Sequence, residues 1–398
     1  MAGSLQTLKF IPLNSQQKPS NFPSHRLKLS FISNQKLRFT KASSAQHNQV
    51  GGNGIQYTKS WAANNFLPIA LVSGVALGLT SPRLGCLAHH YSMSKFSTFG
   101  IFLISGLTLR TEEIGAAAEA WPIGLFGLIS ILIVSPFFSK LILLHQLAPQ
   151  EFITGLAIFS CMPTTLSSGV ALTQLVGGNS ALALAMTVIS NLLGILMVPF
   201  SLSKFIANGV GVSVPTEQLL RSLLITLLVP LVLGKVFRDC FKGVGEYVDQ
   251  NRKLFSMISA VLLSLVPWIQ VSKSRSLLLM VKPAAFLLAV GMGMFLHLIL
   301  LAFNTLVAQS LSIALGAKIS VFAKKENYRA FVLVASQKTL PVMVAVVEQL
   351  HGAMGESGLL VLPCVAAHIN QIIFDSILVN LWLQKDQRLQ GSTKNKII

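Results

Sequence analysis

Met162-Pro-Thr-Thr-Leu-Ser-Ser-Gly169 and Ser336-Gln-Lys-Thr-Leu-Pro341 are two polar interruptions inside long apolar stretches, and each falls in the fourth apolar segment of its half of the chain. Backbone N–H and C=O groups in hydrocarbon have no water to bond. A hydroxyl-rich run broken by proline and glycine therefore persists at mid-membrane only where it borders a polar cavity. Matched interruptions in two halves of one chain point to a central binding site of the kind carriers use.

The rest of the chain agrees with a membrane setting. Of 398 residues, 52% are apolar and only 11% charged, with a mean hydropathy of +0.66, whereas a soluble domain carries about 25% charged residues. The formal charge of +18 does not indicate nucleic-acid binding, because the basic residues form no aromatic-interleaved face. They gather in the N-terminal segment and in short loops. Residues 1–60 hold eight Lys or Arg, nine Ser and no acidic residue, and the first carboxylate of the chain is Glu112. That composition predicts an organelle transit peptide, its serine richness favouring a plastid, in a segment without packed structure. Cys86, Cys161, Cys240 and Cys364 show no ligand spacing and read as buried apolar residues.

Runs long enough to cross a bilayer, about 20 mostly apolar residues each, occur at roughly 62–80, 95–109, 120–144, 151–174, 180–203, 216–237, 254–271, 283–316, 328–349 and 356–383. The predicted fold is an all-α polytopic membrane protein of ten transmembrane helices, in two inverted repeats of five (61–205 and 206–385), with the fourth and ninth helices discontinuous and a basic tail at 386–398. Loop charge puts both termini on one side through Arg110, Lys235, Arg238, Lys242, Arg252, Lys253, Lys318, Lys324, Lys325 and Arg329. In a plastid envelope that side is the stroma.

Within the first interruption Pro163 has no N–H to donate and Gly169 tolerates non-helical angles. Thr164, Thr165, Ser167 and Ser168 then offer hydroxyl and freed carbonyl oxygens, which suit a hard cation such as sodium. In the fifth span Thr187, Ser190 and Asn191 share a helical face that can turn toward the break. Small polar residues also serve simply as close-packing contacts between helices, so the cluster carries the reading rather than any single hydroxyl.

The second interruption holds Lys338, with Thr339 beside it; a cation at a helix centre costs about 2.5–3.5 kcal/mol. Three readings are open. The ammonium stands where other carriers hold sodium and couples transport to protons, or it attracts a substrate carboxylate, or it forms a structural ion pair with Asp375 in the tenth span. His368, Gln371 and Asp375 follow a three-then-four spacing and share a face directed into the bundle. His297, Asn304 and Gln309 read as packing polars, and His89 and His90 as residues of a solvated loop.

The run Cys161-Met-Pro-Thr-Thr-Leu-Ser-Ser-Gly-Val170, followed by Gly178-Asn-Ser-Ala-Leu-Ala-Leu-Ala-Met-Thr187, resembles the signature of the bile acid:sodium symporter family, over about residues 62–383. With the transit-like segment, the chain resembles a plastid member. The resemblance implies ten helices in two inverted repeats with crossing breaks, and a candidate sodium site at Ser168, Thr187 and Gln337. Three family ligands are replaced: Gly169 stands for an asparagine, Ala183 for a serine, and no glutamate lies near Leu333. The break carries Lys338 instead.

The expected function is secondary active transport of a small organic anion across the chloroplast envelope, in the inner membrane, coupled to sodium or to protons through Lys338. No cofactor beyond the coupling ion is expected, and lipid is the surrounding partner. No nucleotide-binding loop is present. An integral-membrane enzyme using His368, Asp375 and Lys338 would need a recognisable catalytic spacing, which is lacking. A non-transporting regulator of ion entry is the other alternative.

Overall fold

The computed structural model describes residues 66–110, 120–207, 211–314 and 321–395. The predicted transit segment 1–60, Glu112 and Lys318 lie outside these. The described residues contain helices and no strand: α1 (Phe66–Thr80), α2 (Pro82–His90), α3 (Met93–Thr108), α4 (Trp121–Leu143), α5 (Gln150–Ser160), α6 (Ser168–Leu175), α7 (Ser180–Ala207), α8 (Thr216–Cys240), α9 (Lys242–Gln250), α10 (Arg252–Lys273), α11 (Arg275–Met280), α12 (Pro283–Ala314), α13 (Lys325–Ser336), α14 (Leu340–Gln349) and α15 (Ser357–Asn395). Among the described residues, seven helices or helix pairs are long and apolar enough to cross a membrane, or eight if α1 and α2 form one bent span. Several of the spans end where the apolar runs do. α15 instead continues to Asn395, through residues read from sequence as a tail.

Prolines punctuate these helices. α1 and α2 meet at a bend of 101° because Pro82 cannot donate to the preceding turn and pushes Ser81 out of helical angles, to φ −129° and ψ 71°. His89 and His90 thus close an exposed helix rather than sit in a loop.

Two packed groups result. α1 lies along α10, and α3 along α8 and α10; a Cβ on Gly74 would stand 2.6 Å from the Ser264 carbonyl oxygen, so only glycine lets α1 and α10 approach this closely. The second group is α4 to α7 with α12 to α15. At its centre, every residue from Ala330 to Val347 is buried, as expected of a helix apolar on all sides. Ile225, Val229 and Val232 on α8, and Leu287, Phe295 and Leu306 on α12, are exposed in the manner of lipid-facing residues. Among the cysteines, Cys161 and Cys364 are buried as expected, whereas Cys86 and Cys240 are exposed.

Candidate functional site

α5 stops at Ser160 and α6 starts at Ser168; α13 stops at Ser336 and α14 starts at Leu340. The two non-helical stretches touch: the Thr339 N–H donates to the Pro163 carbonyl (2.9 Å) and the Thr164 hydroxyl to the Val334 carbonyl (2.5 Å). Freed backbone groups in a membrane interior need partners, and several here have them. Asn191 Nδ2 donates to the Thr164 carbonyl (3.0 Å), Gln371 Nε2 donates to the Lys338 carbonyl (2.7 Å), and the Lys338 N–H donates to Gln371 Oε1 (3.0 Å). His368 Nδ1 lies 3.2 Å from that same Lys338 carbonyl.

A compact oxygen cluster joins the breaks. The Thr165 hydroxyl donates to Gln337 Oε1 (2.5 Å), and Ser168 Oγ lies 2.9 Å from both Gln337 Oε1 and Thr165 Oγ1. Gly169 makes room for it, since a Cβ there would meet Gln337 Oε1 at 3.1 Å. Of the three candidate sodium residues, Ser168 and Gln337 are therefore brought together. Thr187 lies in the wall of the adjoining cavity, and its hydroxyl has no partner among the described residues. Ser167 also borders the cavity, at the N-terminal cap of α6.

Lys338 is only 1% exposed, and its ammonium is held entirely by oxygens. It donates to the Met162 carbonyl (2.9 Å), the Ile131 carbonyl (3.2 Å) and the Ser135 hydroxyl. The ion pair with Asp375 weighed from sequence does not form. Asp375, fully buried, instead accepts from Gln337 Nε2 at Oδ2 (2.5 Å) and faces His297 Nε2 at 2.9 Å through Oδ1. The physical reason is placement: the lysine stem runs toward α4 and the first break, away from the α12 side that Asp375 faces. His297 is accordingly more than a packing residue, its Nδ1 lying 3.2 Å from the Ser336 carbonyl. Asn304 is buried between Ser130 and Ser336, while Gln309 is exposed. The buried face shared by His368, Gln371 and Asp375 is present as expected.

Ser135 and the carbonyls of Ile131 and Met162 were not singled out from sequence, and His297 was read only as a packing polar. His297 and Asn304, seven residues apart and both buried, carried a usable signal: polar groups two turns apart on one face of a long apolar helix. The carbonyls carried none.

Beside the breaks lies a cavity of about 290 Å³ between the two helix groups. Its wall includes Thr165, Ser168, Thr187, Asn191 and Thr339 from the second group, with α3 and α10 opposite. From α10 it takes residues between Arg252 and Leu263, the N-terminal half. There Asp249 is shared by Arg110 (2.9 Å), Arg238 (2.8 Å) and Arg252 (3.4 Å). Burial works to raise the Asp249 carboxyl, but hydrogen bonds from Arg238 and Arg110 outweigh it and hold the group at about 2. Along the C-terminal half of α10 the two groups are tied together. Gln270 Nε2 donates to Glu348 (3.2 Å), which Ser94 also contacts; Ser274 donates to Glu356 (2.8 Å) and accepts from the Gly358 N–H (3.1 Å).

Two non-helical stretches that hydrogen-bond to each other beside a cavity, among helices long and apolar enough to cross a membrane, define the class: a polytopic membrane protein with a buried polar centre. The chain belongs to the SBF-like CPA transporter family, which it matches over residues 64–384. It is 66% identical over 337 residues to the protein named "Probable sodium/metabolite cotransporter BASS4, chloroplastic" of Arabidopsis thaliana, covering 85% of this chain and 76% of the relative. To the protein of the same name in Oryza sativa subsp. indica it is 66% identical over 332 residues, 83% and 78% of the two chains. More distantly, it is 31% identical over 206 residues to "Sodium/bile acid cotransporter 7" of Danio rerio, 49% of this chain and 60% of that one.

Proposed function

We propose that this chain is a secondary active transporter of small organic anions in the chloroplast envelope, in its inner membrane, with both termini in the stroma. The observation that carries the reading is the mutual satisfaction of the two breaks through Thr339 N–H and the Pro163 carbonyl, at the wall of a cavity bordered by the arginine cluster at one end of α10 and closed by glutamate contacts at the other. Alternating access then consists of α1, α3, α8 and α10 moving against the remaining helices. The names of the relatives, which carry "sodium/metabolite cotransporter" and "chloroplastic", support the same reading.

The architecture that goes with it has ten spans. The bent α1/α2, the short α3 and the broken pair α5/α6 join the seven longer ones, arranged as two inverted sets of five over 61–205 and 206–385. The pairs α5/α6 and α13/α14 are its discontinuous fourth and ninth helices, residues 1–60 a transit peptide and 386–398 the C-terminal tail. Sodium is held at Ser168, Thr187 and Gln337. Thr164, Thr165, Ser167, Asn191, Lys338, Thr339 and Asp375 position the breaks and the substrate.

A second reading of the coupling ion rests on Lys338. Two carbonyls and a hydroxyl around an ammonium form the kind of oxygen cage that elsewhere receives a metal cation, so a protein-borne cation stands in for a diffusible one and a proton gradient drives the cycle. Uptake of radiolabelled organic acids into proteoliposomes, under a sodium gradient and a proton gradient imposed separately, tests both. Accumulation under the sodium gradient supports the first coupling, accumulation under the proton gradient the second. An absence of uptake under either would leave the non-transporting regulator.

A further inference from the structure

The cavity wall has a one-sided chemistry. Among the described residues no Asp or Glu lines it, and Arg252 is the one Lys or Arg that does. At that end Asp249 lies among Arg110, Arg238 and Arg252, and Arg252 reaches the cavity wall. The Arg252 guanidinium in the wall draws anions into the cavity, and no described lining residue is a carboxylate that would balance an ammonium.

Deeper in, Asn191 imposes a second requirement. Its Nδ2 donates both to the Thr164 carbonyl (3.0 Å) and to the Thr187 carbonyl (2.8 Å). Those two acceptors fix the amide orientation, because the flipped amide would set its oxygen against two carbonyl oxygens. Oδ1 is therefore the free end, and it has no partner among the described residues although Asn191 is 5% exposed. A carbonyl oxygen offers only lone pairs, so either a hydrogen-bond donor or a cation completes it; with sodium held at Ser168, Thr187 and Gln337 as proposed above, a donor on the substrate is left for Asn191. The hydroxyls of Thr187 and Thr339, also in the wall and also without partners, can in turn donate.

We propose, on the basis of the transport reading above, that the carried anion is a small hydroxylated organic acid. Its carboxylate lies toward Arg252, and its hydroxyl donates to Asn191 Oδ1 while accepting from Thr187 or Thr339. A hydroxyl is the neutral group that both donates and accepts. An amino group would arrive as an ammonium with no carboxylate among the described lining residues to meet it, and a simple alkanoate would leave Asn191 unsatisfied.

The test is competition by a matched acid series against uptake in proteoliposomes of the full chain: propanoate, 2-hydroxypropanoate, 2,3-dihydroxypropanoate and the zwitterion 2-aminopropanoate. Supplying a donor to a stranded buried acceptor predicts that the hydroxy acids compete at least about fivefold better than propanoate. Asn191→Leu should bring that ratio to about one, whereas Arg252→Gln should weaken all the anions together and leave the ratio intact. The wild-type series decides the matter even if Asn191→Leu fails to fold. Equal competition by propanoate and the hydroxy acids would overturn the inference and leave organic-anion transport standing. Competition by 2-aminopropanoate as strong as by 2-hydroxypropanoate would also overturn it, and an absence of binding or uptake of any acid would remove both readings.

Discussion

Truncating Lys338 to alanine separates a structural lysine from a working one. The ammonium bonds the Met162 and Ile131 carbonyls and the Ser135 hydroxyl. After truncation Ser135 still donates to Ile131 (2.6 Å), so those two keep each other. Met162, in the first break, loses its donor. A stranded buried carbonyl costs about 1–3 kcal/mol, and a cavity of about 80 Å³ adds about 2 kcal/mol. Against this, the buried ammonium is no longer paid for, a relief of about 2.5–3.5 kcal/mol. The terms nearly cancel, so Lys338→Ala should fold and elute as the wild type does. Transport should still fall, because the first break is no longer held to the second at Met162; about 2 kcal/mol of lost positioning corresponds to about a 30-fold drop in rate. Thermal stability by fluorescence-detected size exclusion, paired with proteoliposome uptake, measures the two effects separately. Undiminished uptake by a folded Lys338→Ala protein would refute the reasoning.

Asp375→Leu removes the acceptor that the Gln337 amide uses; a stranded buried donor of about 1–3 kcal/mol should lower uptake about tenfold, read in the same vesicles. Glu348→Ala combined with Glu356→Ala cuts the ties from Gln270, Ser94 and Ser274. It should speed thiol labelling of a Thr339→Cys reporter from the Glu356 side, and unchanged labelling would show that those contacts do not close the cavity. Asp249, held at about 2 against an ordinary 3.8, is depressed in the folded state. Its contribution is therefore fully present above about pH 4 and lost as pH falls toward about 2. The stability difference between wild type and Asp249→Asn should stay constant from neutrality to about pH 5 and shrink only below about pH 4, as followed by thermal melts across pH.

Much of the site was legible because membrane insertion penalises polar residues, so those that remain report on themselves. Pro163, Gly169, Lys338 and Asp375 stand out against their apolar surroundings, and the three-then-four spacing of His368, Gln371 and Asp375 fixes their common face without any coordinates. Their partners were harder to read. Sequence pairs the sole deep lysine with the sole deep carboxylate by charge alone, yet Lys338 turns to backbone carbonyls, which belong to every residue and mark none. The sequence around α3 and α5/α6 reads as apolar runs of spanning length, whereas each helix is short, because hydropathy is blind to where a helix starts and stops. The bend at Pro82 could have been anticipated from the proline, but the glutamate contacts along α10 depend on which helices and loops meet in space.

The most direct test of the central claim is whether the two breaks meet in the bilayer. In a cysteine-free background reconstituted into lipid, the pair Thr165→Cys and Gln337→Cys, whose native side chains meet at 2.5 Å, should be joined rapidly by a short bifunctional thiosulfonate, while Thr165→Cys paired with Glu356→Cys should not. Failure of the first pair to cross-link, with both thiols shown to be reactive, would contradict the account.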